Sequence, residues 1–178
     1  MAYKGSEEDR RFVTLSAGEL EDYLSSEVLL WRIKVQNLPL TPGNLLLAMK
    51  RLSVVEDTKL VLIIDEILCL IDKRRIAWEK KVSKEIPMRL NQWCNQVEEI
   101  QRYGSLDSSY GYQVRTRVIL ELLFAEKHYP DEHTRLALED VDANLSLIAG
   151  SGEFIWDEIL KDHFPEITYP YLYLKDRK

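Results

Sequence analysis

The feature that most constrains this chain is the run from Leu60 to Tyr103, which contains no glycine and a single proline, Pro87. Apolar residues recur through the run at the spacing of one helix face. At about 1.5 Å per residue, a single helix over this run would be roughly 65 Å long, about twice the width of a small domain. We therefore expect a helix that is bent or that extends beyond its own core. The apolar stripe consists of Ile64, Ile67, Leu68, Ile71, Trp78, Val82, Ile86, Leu90, Trp93, Val97 and Ile100.

Pro87 is the weak point of this predicted helix, because proline has no amide for the carbonyl of Ser83 and disfavours helical dihedrals at Ile86. Two interpretations are open. The helix either ends near Glu85 and restarts with Pro87 in its first turn, or continues through Pro87 with a kink. The apolar stripe keeps its phase across Pro87, and neither Glu85 nor Ile86 is a good N-cap, so we favour the kink.

The rest of the chain predicts further helices. Ser16 and Glu19 have the spacing of a capping box, which predicts a helix from Ser16 to about Ile33. Thr41 and Pro42 begin a short second helix, and the stretch from Gly111 to His128 is apolar on nearly every side, as expected of a central helix. Two more helices are predicted, one beginning at Asp131 and a short one beginning at Ser151. The predicted fold class is an all-α bundle of about six helices.

The domain organisation predicted from these patterns has three parts. Residues 1–15 form a flexible N-terminus, residues 16–164 form one helical-bundle domain, and residues 165–178 form an extended C-terminal arm. The arm shows a period of two at Tyr169, Tyr171 and Tyr173, and Pro170 excludes a central strand there. We expect the arm to lie across helices of its own chain or of a partner.

Composition points to a globular protein of the cytoplasm. The charged N-terminal residues argue against a secretory signal, and no apolar run is long enough to span a membrane. Cys69 and Cys94 are far apart and belong to no CxxC pair, so we expect free thiols in a reducing compartment.

The charge is unevenly distributed along the chain. Residues 73–89 carry seven basic and two acidic side chains, for +5, whereas residues 131–166 carry ten acidic and two basic ones, for −8. The net charge of −6 argues against nucleic acid as the main partner, because surplus lysine and arginine supply most of the affinity for phosphate. The basic residues are Lys73, Arg74, Arg75, Lys80, Lys81, Lys84 and Arg89.

A few polar residues fall on predicted apolar helix faces and are candidates for chemistry. Glu27 lies between Tyr23 and Trp31, so a buried carboxylate there must find a partner or take up a proton. It is either a metal ligand or general base, or it forms a structural ion pair or a bond to loop amides, and the structural role is the commoner case.

The later helices supply three more candidates for chemistry, Glu121, His128 and His163. Arg117 and Glu121 are four residues apart and are expected to pair; His128 follows on the same face. His163 lies near the end of the last predicted helix, where a packed or capping histidine is expected. No Glu-x-x-His or His-Glu-x-x-His motif occurs, so we predict no metal site and no cofactor.

The leading hypothesis for function is a non-enzymatic interaction or scaffolding module that self-associates, most simply as a symmetric dimer. We predict its interface at Trp78, Trp93, Tyr169, Tyr171 and Tyr173. The basic residues would then be solvated, or would meet the acidic C-terminal third of a neighbouring subunit.

Two alternatives belong to other classes. One is a helical enzyme that performs metal-assisted hydrolysis with Glu27, Glu121, His128 and His163. The other is a protein that binds nucleic acid through the basic 73–89 face, with cations beside tryptophan rings.

Overall fold

The computed structural model of the chain describes residues 2–34, 37–106, 108–127 and 131–177. These residues are mostly helical, and the only sheet among them has two strands, so the predicted all-α class is confirmed. The chain divides into two compact units, residues 1–85 and 86–178. The predicted single domain over residues 16–164 stays a prediction. None of the helices in the described ranges has the length and hydropathy needed to cross a bilayer.

Helix α1, Ser6–Ser25, begins ten residues before the predicted start at Ser16. Residues 6–15, which we expected to be flexible, form its first turns because Phe12 and Val13 are buried together with Leu20 and Tyr23. Ser16 is a buried residue inside the helix and caps nothing. The helix also ends earlier than the predicted Ile33, because Ser26 is extended (φ −85°, ψ 166°).

Helix α2, Pro42–Leu52, confirms the predicted cap: the Thr41 hydroxyl accepts a hydrogen bond from the amide of Asn44 at 3.2 Å. Helix α3, Thr58–Lys73, is capped by the carboxylate of Asp57, which accepts hydrogen bonds from the amides of Lys59 (2.8 Å) and Leu60 (3.2 Å). Both starts lie where a side-chain oxygen can satisfy free amides of the first turn.

The predicted single helix over residues 60–103 is interrupted at Arg74, where φ is −112° and ψ is 29°. Helix α4 resumes at once and covers Arg75–Tyr103, with Pro87 inside it. The chain therefore follows the interpretation in which one helix passes through Pro87. No glycine or proline lies near Arg74, so the sequence contains no conventional signal for the interruption.

The apolar stripe of α3 and α4 is largely covered by the chain itself. In the first unit Ile67, Ile71, Trp78 and Val82 are buried. In the second unit the same holds for Ile86, Trp93, Val97 and Ile100. These buried residues of the stripe therefore need no second copy to cover them.

The second unit contains the predicted apolar helix at its centre. Helix α5, Tyr110–Gln113, is a single turn that leads into α6, Arg115–Lys127, where Val118, Ile119, Leu120 and Leu123 are buried. Helix α7, Glu132–Ile148, begins after Asp131 as predicted, since the Asp131 carboxylate accepts a hydrogen bond from the amide of Thr134 at 2.9 Å.

The predicted final α-helix from Ser151 is wrong. Strand β1, Ala149–Ser151, instead pairs antiparallel with β2, Leu174–Asp176, with Gly150 opposite Lys175. Gly152 follows β1, and its amide donates to the carbonyl of Tyr173 at 2.6 Å. Two 3-10 helices, Glu158–His163 and Pro170–Leu172, complete the segment.

The C-terminal arm packs on its own unit. Tyr169, Tyr171 and Tyr173 are all buried. The hydroxyl of Tyr110 donates to the carbonyl of Tyr171 at 2.8 Å, and the guanidinium of Arg117 lies 4.4 Å from the centre of the Tyr171 ring. The arm is therefore part of the core of the second unit.

Candidate functional site

The first unit contains a cleft of about 540 Å³ between the C-terminal end of α1 and the junction of α3 with α4. This volume lies in the range of ligand pockets, about 300–1,000 Å³. Its charged lining has six cations and two carboxylates. The cations are Lys73, Arg74, Arg75, Lys80, Lys81 and Lys84; the carboxylates are Glu27 and Asp72. Leu24, Ile76 and Ala77 supply the apolar part of the wall.

The local fold explains why these residues line one cleft. Ile76, Lys80 and Lys84 follow one another at intervals of four residues, which places them on one face of α4. Helix α1 ends at Ser25, so the chain from Ser25 to Glu27 lies opposite this face. The early end of α1 and the interruption at Arg74 together create the opening.

Glu27 is the carboxylate at the centre of the ionic contacts in the cleft. Its oxygens accept hydrogen bonds from Nζ of Lys80 at 2.9 and 3.1 Å and from Nζ of Lys84 at 3.2 Å. These hydrogen bonds, first that from Lys80, lower the pKa of Glu27 below its usual range. The prediction that Glu27 is buried is wrong, because α1 has ended before it and its side chain is 76% exposed. The interpretation of Glu27 as one half of an ion pair is confirmed.

Lys81 has a structural role at the edge of the cleft. Its ammonium group donates to the carbonyl of Ser26 at 2.9 Å and also to the carbonyl of Val28, and it lies 4.3 Å from the centre of the Tyr23 ring. Burial lowers the pKa of Lys81, and the neighbouring charge of Lys84 lowers it further. Because these groups already satisfy Lys81, it holds the end of α1 in place.

The remaining cations of the cleft differ in how far they are engaged. Arg74 donates to the Ser25 hydroxyl at 2.7 Å, and Arg75 pairs with Glu79 at 2.8 Å. Within the described part of the chain, Lys73 is exposed and makes no hydrogen bond or ion pair. Lys73 is therefore open to an external anion, as are Lys80 and Lys84 if that anion replaces Glu27.

The other predicted site residues lie outside the cleft. Arg89 belongs to the second unit, where it is buried and donates to Gln92 at 3.1 Å. The predicted pair of Arg117 and Glu121 is confirmed at 3.0 Å. His163 is a half-buried residue at the end of a 3-10 helix, and His128 lies outside the described residues.

The described residues do not bring together a set of metal ligands, which metal-assisted hydrolysis would require. Among them, no three histidine, cysteine, aspartate or glutamate side chains lie close enough together to hold a metal ion. Glu27 belongs to the first unit, whereas Glu121 and His163 belong to the second. Each of the two glutamates has a basic partner instead.

The five aromatic residues predicted at an interface are buried in the chain. Trp78 and Trp93 are fully buried, and the indole of Trp93 donates to the Asp142 carboxylate at 2.9 Å. The three tyrosines of the arm are buried as well. The stripe spacing of the two tryptophans and the period of two of the three tyrosines predicted a contact surface for each, but neither pattern shows which segments of the chain cover them.

Sequence reasoning missed two features of the first unit: a buried carboxylate and an exposed apolar side chain. The buried carboxylate is Glu85, which accepts hydrogen bonds from the Thr41 hydroxyl and the Gly43 amide. The exposed apolar residue of the cleft is Ile76, with 87% of its surface accessible. The position of Ile76 outside the stripe, two residues before Trp78, was the available signal.

The chain matches no protein-family model, no curated protein and no solved structure. Its function must therefore be inferred from the chemistry of the cleft.

Proposed function

We propose that the protein is a non-enzymatic protein–protein interaction module whose basic cleft binds an acidic segment of a partner. The observation that carries this proposal is the contact of Lys80 and Lys84 with the carboxylate of Glu27. Glu27 is an exposed side chain of the same chain, so it stands where a partner's carboxylate would bind. The lysine pair is already arranged for that group.

The charge and shape of the cleft support an acidic protein segment as the occupant. The excess of cations attracts a negative partner over several ångströms and favours a fast encounter. Ile76, which is exposed, and Ala77, which is half-buried, add an apolar surface beside these charges. A segment that carries both carboxylates and an aliphatic side chain could contact the cations and the apolar residues of the cleft at the same time.

Nucleic acid is the weaker candidate for the same cleft. Proteins that bind single strands combine cations with aromatic rings on which bases stack. The cleft lining contains no aromatic residue among its described members, and Trp78 and Trp93 are buried. The net charge of −6 also opposes the approach of a polyanion as long as nucleic acid.

The cellular setting that we propose is the cytoplasm, as expected from the composition. Cys69 and Cys94 are both free thiols, which a reducing compartment preserves.

The proposal is tested by titrating the full-length protein with a labelled peptide that alternates glutamate clusters with leucine. We expect Lys73→Gln/Lys80→Gln to weaken binding by up to about tenfold, because two exposed charge pairs worth at most about 1 kcal/mol each are lost. Lys59→Gln/Arg102→Gln is the matched control, since it removes two exposed cations that lie outside the cleft.

Equal affinities of the two double variants for the peptide would reject the cleft as the binding site. A single-stranded oligonucleotide is titrated in parallel. If it binds more tightly than the peptide and depends on the same lysines, the nucleic-acid alternative replaces our proposal.

A further inference from the structure

We infer that the acidic segment bound by the cleft is the outer face of helix α7 of a second copy of this chain. This inference rests on the proposed function and specifies its partner. It follows from the arrangement of exposed side chains on α7 and from their match to the cleft.

Helix α7 is apolar on two faces. Leu138 and Leu145 are buried in the second unit. On the opposite face Leu136, Ala143 and Leu147 lie within about 20° of a common line at 100° per residue. Leu136 is 48% exposed and Leu147 is 68% exposed. The outer face of α7 thus has an apolar centre that its own unit leaves accessible.

Carboxylates flank this apolar centre. Glu132 and Glu139 lie on one side of the Leu136 line and Asp140 lies on the other, and all three are exposed. Arg135 pairs with Glu139 within the helix. Glu132 and Asp140 make no hydrogen bond or ion pair within the described residues, so they are open to an external cation.

The cleft has the complementary arrangement. Ile76 is its exposed apolar residue, with Lys73 before it and Lys80 after it in the sequence. Lys73 is the third residue before Ile76, at the end of α3, and Lys80 is the fourth after it. Glu132 and Asp140 are the residues four before and four after Leu136. If Leu136 packs on Ile76, the carboxylates on both sides of Leu136 would lie beside the cations of the cleft, Lys73 and Lys80 among them. Opposite charges and two exposed aliphatic side chains would be buried in one contact.

Each copy carries one cleft and one α7 face. The contact joins different surfaces of the two copies, and it would form twice where the pair closes with two-fold symmetry. The two contacts strengthen each other, because the second forms within an already associated pair. This symmetry makes the inference testable by exchanging charges.

The test uses full-length chains and sedimentation velocity at low salt. The cleft variant is Lys73→Glu/Lys80→Glu, and the α7 variant is Glu132→Lys/Asp140→Lys. We expect wild type to associate and each variant alone to have a dissociation constant raised about tenfold or more. An equimolar mixture should recover association, because both contacts of the mixed pair join opposite charges.

A chain that carries all four substitutions should also recover association. This variant and the mixture separate a lost contact from a damaged fold, since misfolded variants would not rescue each other. Lys59→Glu/Arg102→Glu is the matched control for the cleft variant and should sediment like wild type.

The inference is overturned if the mixture and the four-substitution chain fail to recover association, or if the single-surface variants associate as wild type does. A wild-type monomer that still binds the acidic peptide through Lys73 and Lys80 would overturn the inference and leave the proposed function standing. A wild-type monomer that does not bind the peptide would overturn both.

Discussion

The carboxylate of Glu85 accepts a hydrogen bond from the hydroxyl of Thr41 at 2.7 Å, and both residues are fully buried. The second carboxylate oxygen accepts from the amide of Gly43 at 2.8 Å. The negative charge of Glu85 thus lies at the N-terminus of α2, where the helix dipole is favourable. This contact joins α2 to the part of α4 that supplies the cleft cations.

Replacing Glu85 by alanine should destabilise the protein by about 1–3 kcal/mol, because the Thr41 hydroxyl and the Gly43 amide would remain buried without this acceptor. Glu85→Gln keeps one acceptor oxygen and should cost less. Urea denaturation measures both changes. Glu99→Ala, at an exposed position of α4, is the control. Equal stability of Glu85→Ala and the control would contradict this account.

Arg117→Lys should destabilise the second unit. The Arg117 guanidinium bonds to Asp142 at 2.9 Å and to Glu121 at 3.0 Å while it covers the Tyr171 ring. Lysine has no planar fork with which to make these contacts together. We expect a loss of about 1–3 kcal/mol, the value of hydrogen bonds to charged groups. Arg135→Lys, on the exposed face of α7, should be close to neutral in the same urea titration.

Alkaline pH should unfold the protein through its buried tyrosines. Burial raises the pKa of Tyr169 from its usual 10.0 to about 12, and burial also raises the pKa of Tyr110 and Tyr171. A pKa that is higher in the folded state means that the unfolded state loses its protons first. Stability is therefore full below pH 10 and falls as the pH rises toward 12.

Ultraviolet absorbance of tyrosinate and circular dichroism, followed together through this pH range, check the prediction. The buried tyrosines should ionise together with the loss of helix. Ionisation of every tyrosine near pH 10 with the helices intact would show that burial does not hold them protonated.

Glu27→Gln should raise the affinity of the cleft for an acidic peptide several-fold. The substitution removes the carboxylate that occupies Lys80 and Lys84, so the incoming peptide no longer competes with it. Glu21→Gln, an exposed position of α1, makes the same change of net charge and serves as the control. Calorimetric titration should show tighter binding for Glu27→Gln alone. An equal gain in affinity for both variants would show that the effect comes from net charge alone.

Ile76→Ser should weaken peptide binding without changing stability. The side chain is 87% exposed, so its removal should alter the free energy of unfolding by no more than about 0.5 kcal/mol. Ile167→Ser is a matched control, because Ile167 is 93% exposed and lies in the second unit. Fluorescence titration with the labelled peptide compares the two. A loss of affinity in both variants, or in neither, would remove Ile76 from the binding surface.

Helical periodicity and caps account for what the sequence predicted correctly. The Thr41 and Asp131 caps, the passage of α4 through Pro87 and the pairing of Arg117 with Glu121 all depend on residues within four positions of one another. Such local interactions can be predicted from a single sequence. The basic residues that line the cleft were also found, because they are neighbours along the chain.

Errors arose where distant segments decide the structure. A Ser16–Glu19 spacing suits a helix start, but burial of Phe12 and Val13 continues the helix toward the N-terminus. The wrong end of α1 placed Glu27 in the core, whereas Glu85 was considered only as a possible helix end. The partners of Glu85, Thr41 and Gly43, are more than forty residues away, so no local pattern announces the contact.

Gly152 lies where the backbone of β2 comes closest to the chain after β1. A β-carbon at this position would stand 3.1 Å from the amide nitrogen of Lys175, inside the distance that most real contacts keep. A side chain at this position would therefore require the β2 backbone to move by a few tenths of an ångström. Gly152 thus sets how closely the C-terminal strand can approach the chain, and a larger residue here should loosen the attachment of the C-terminus.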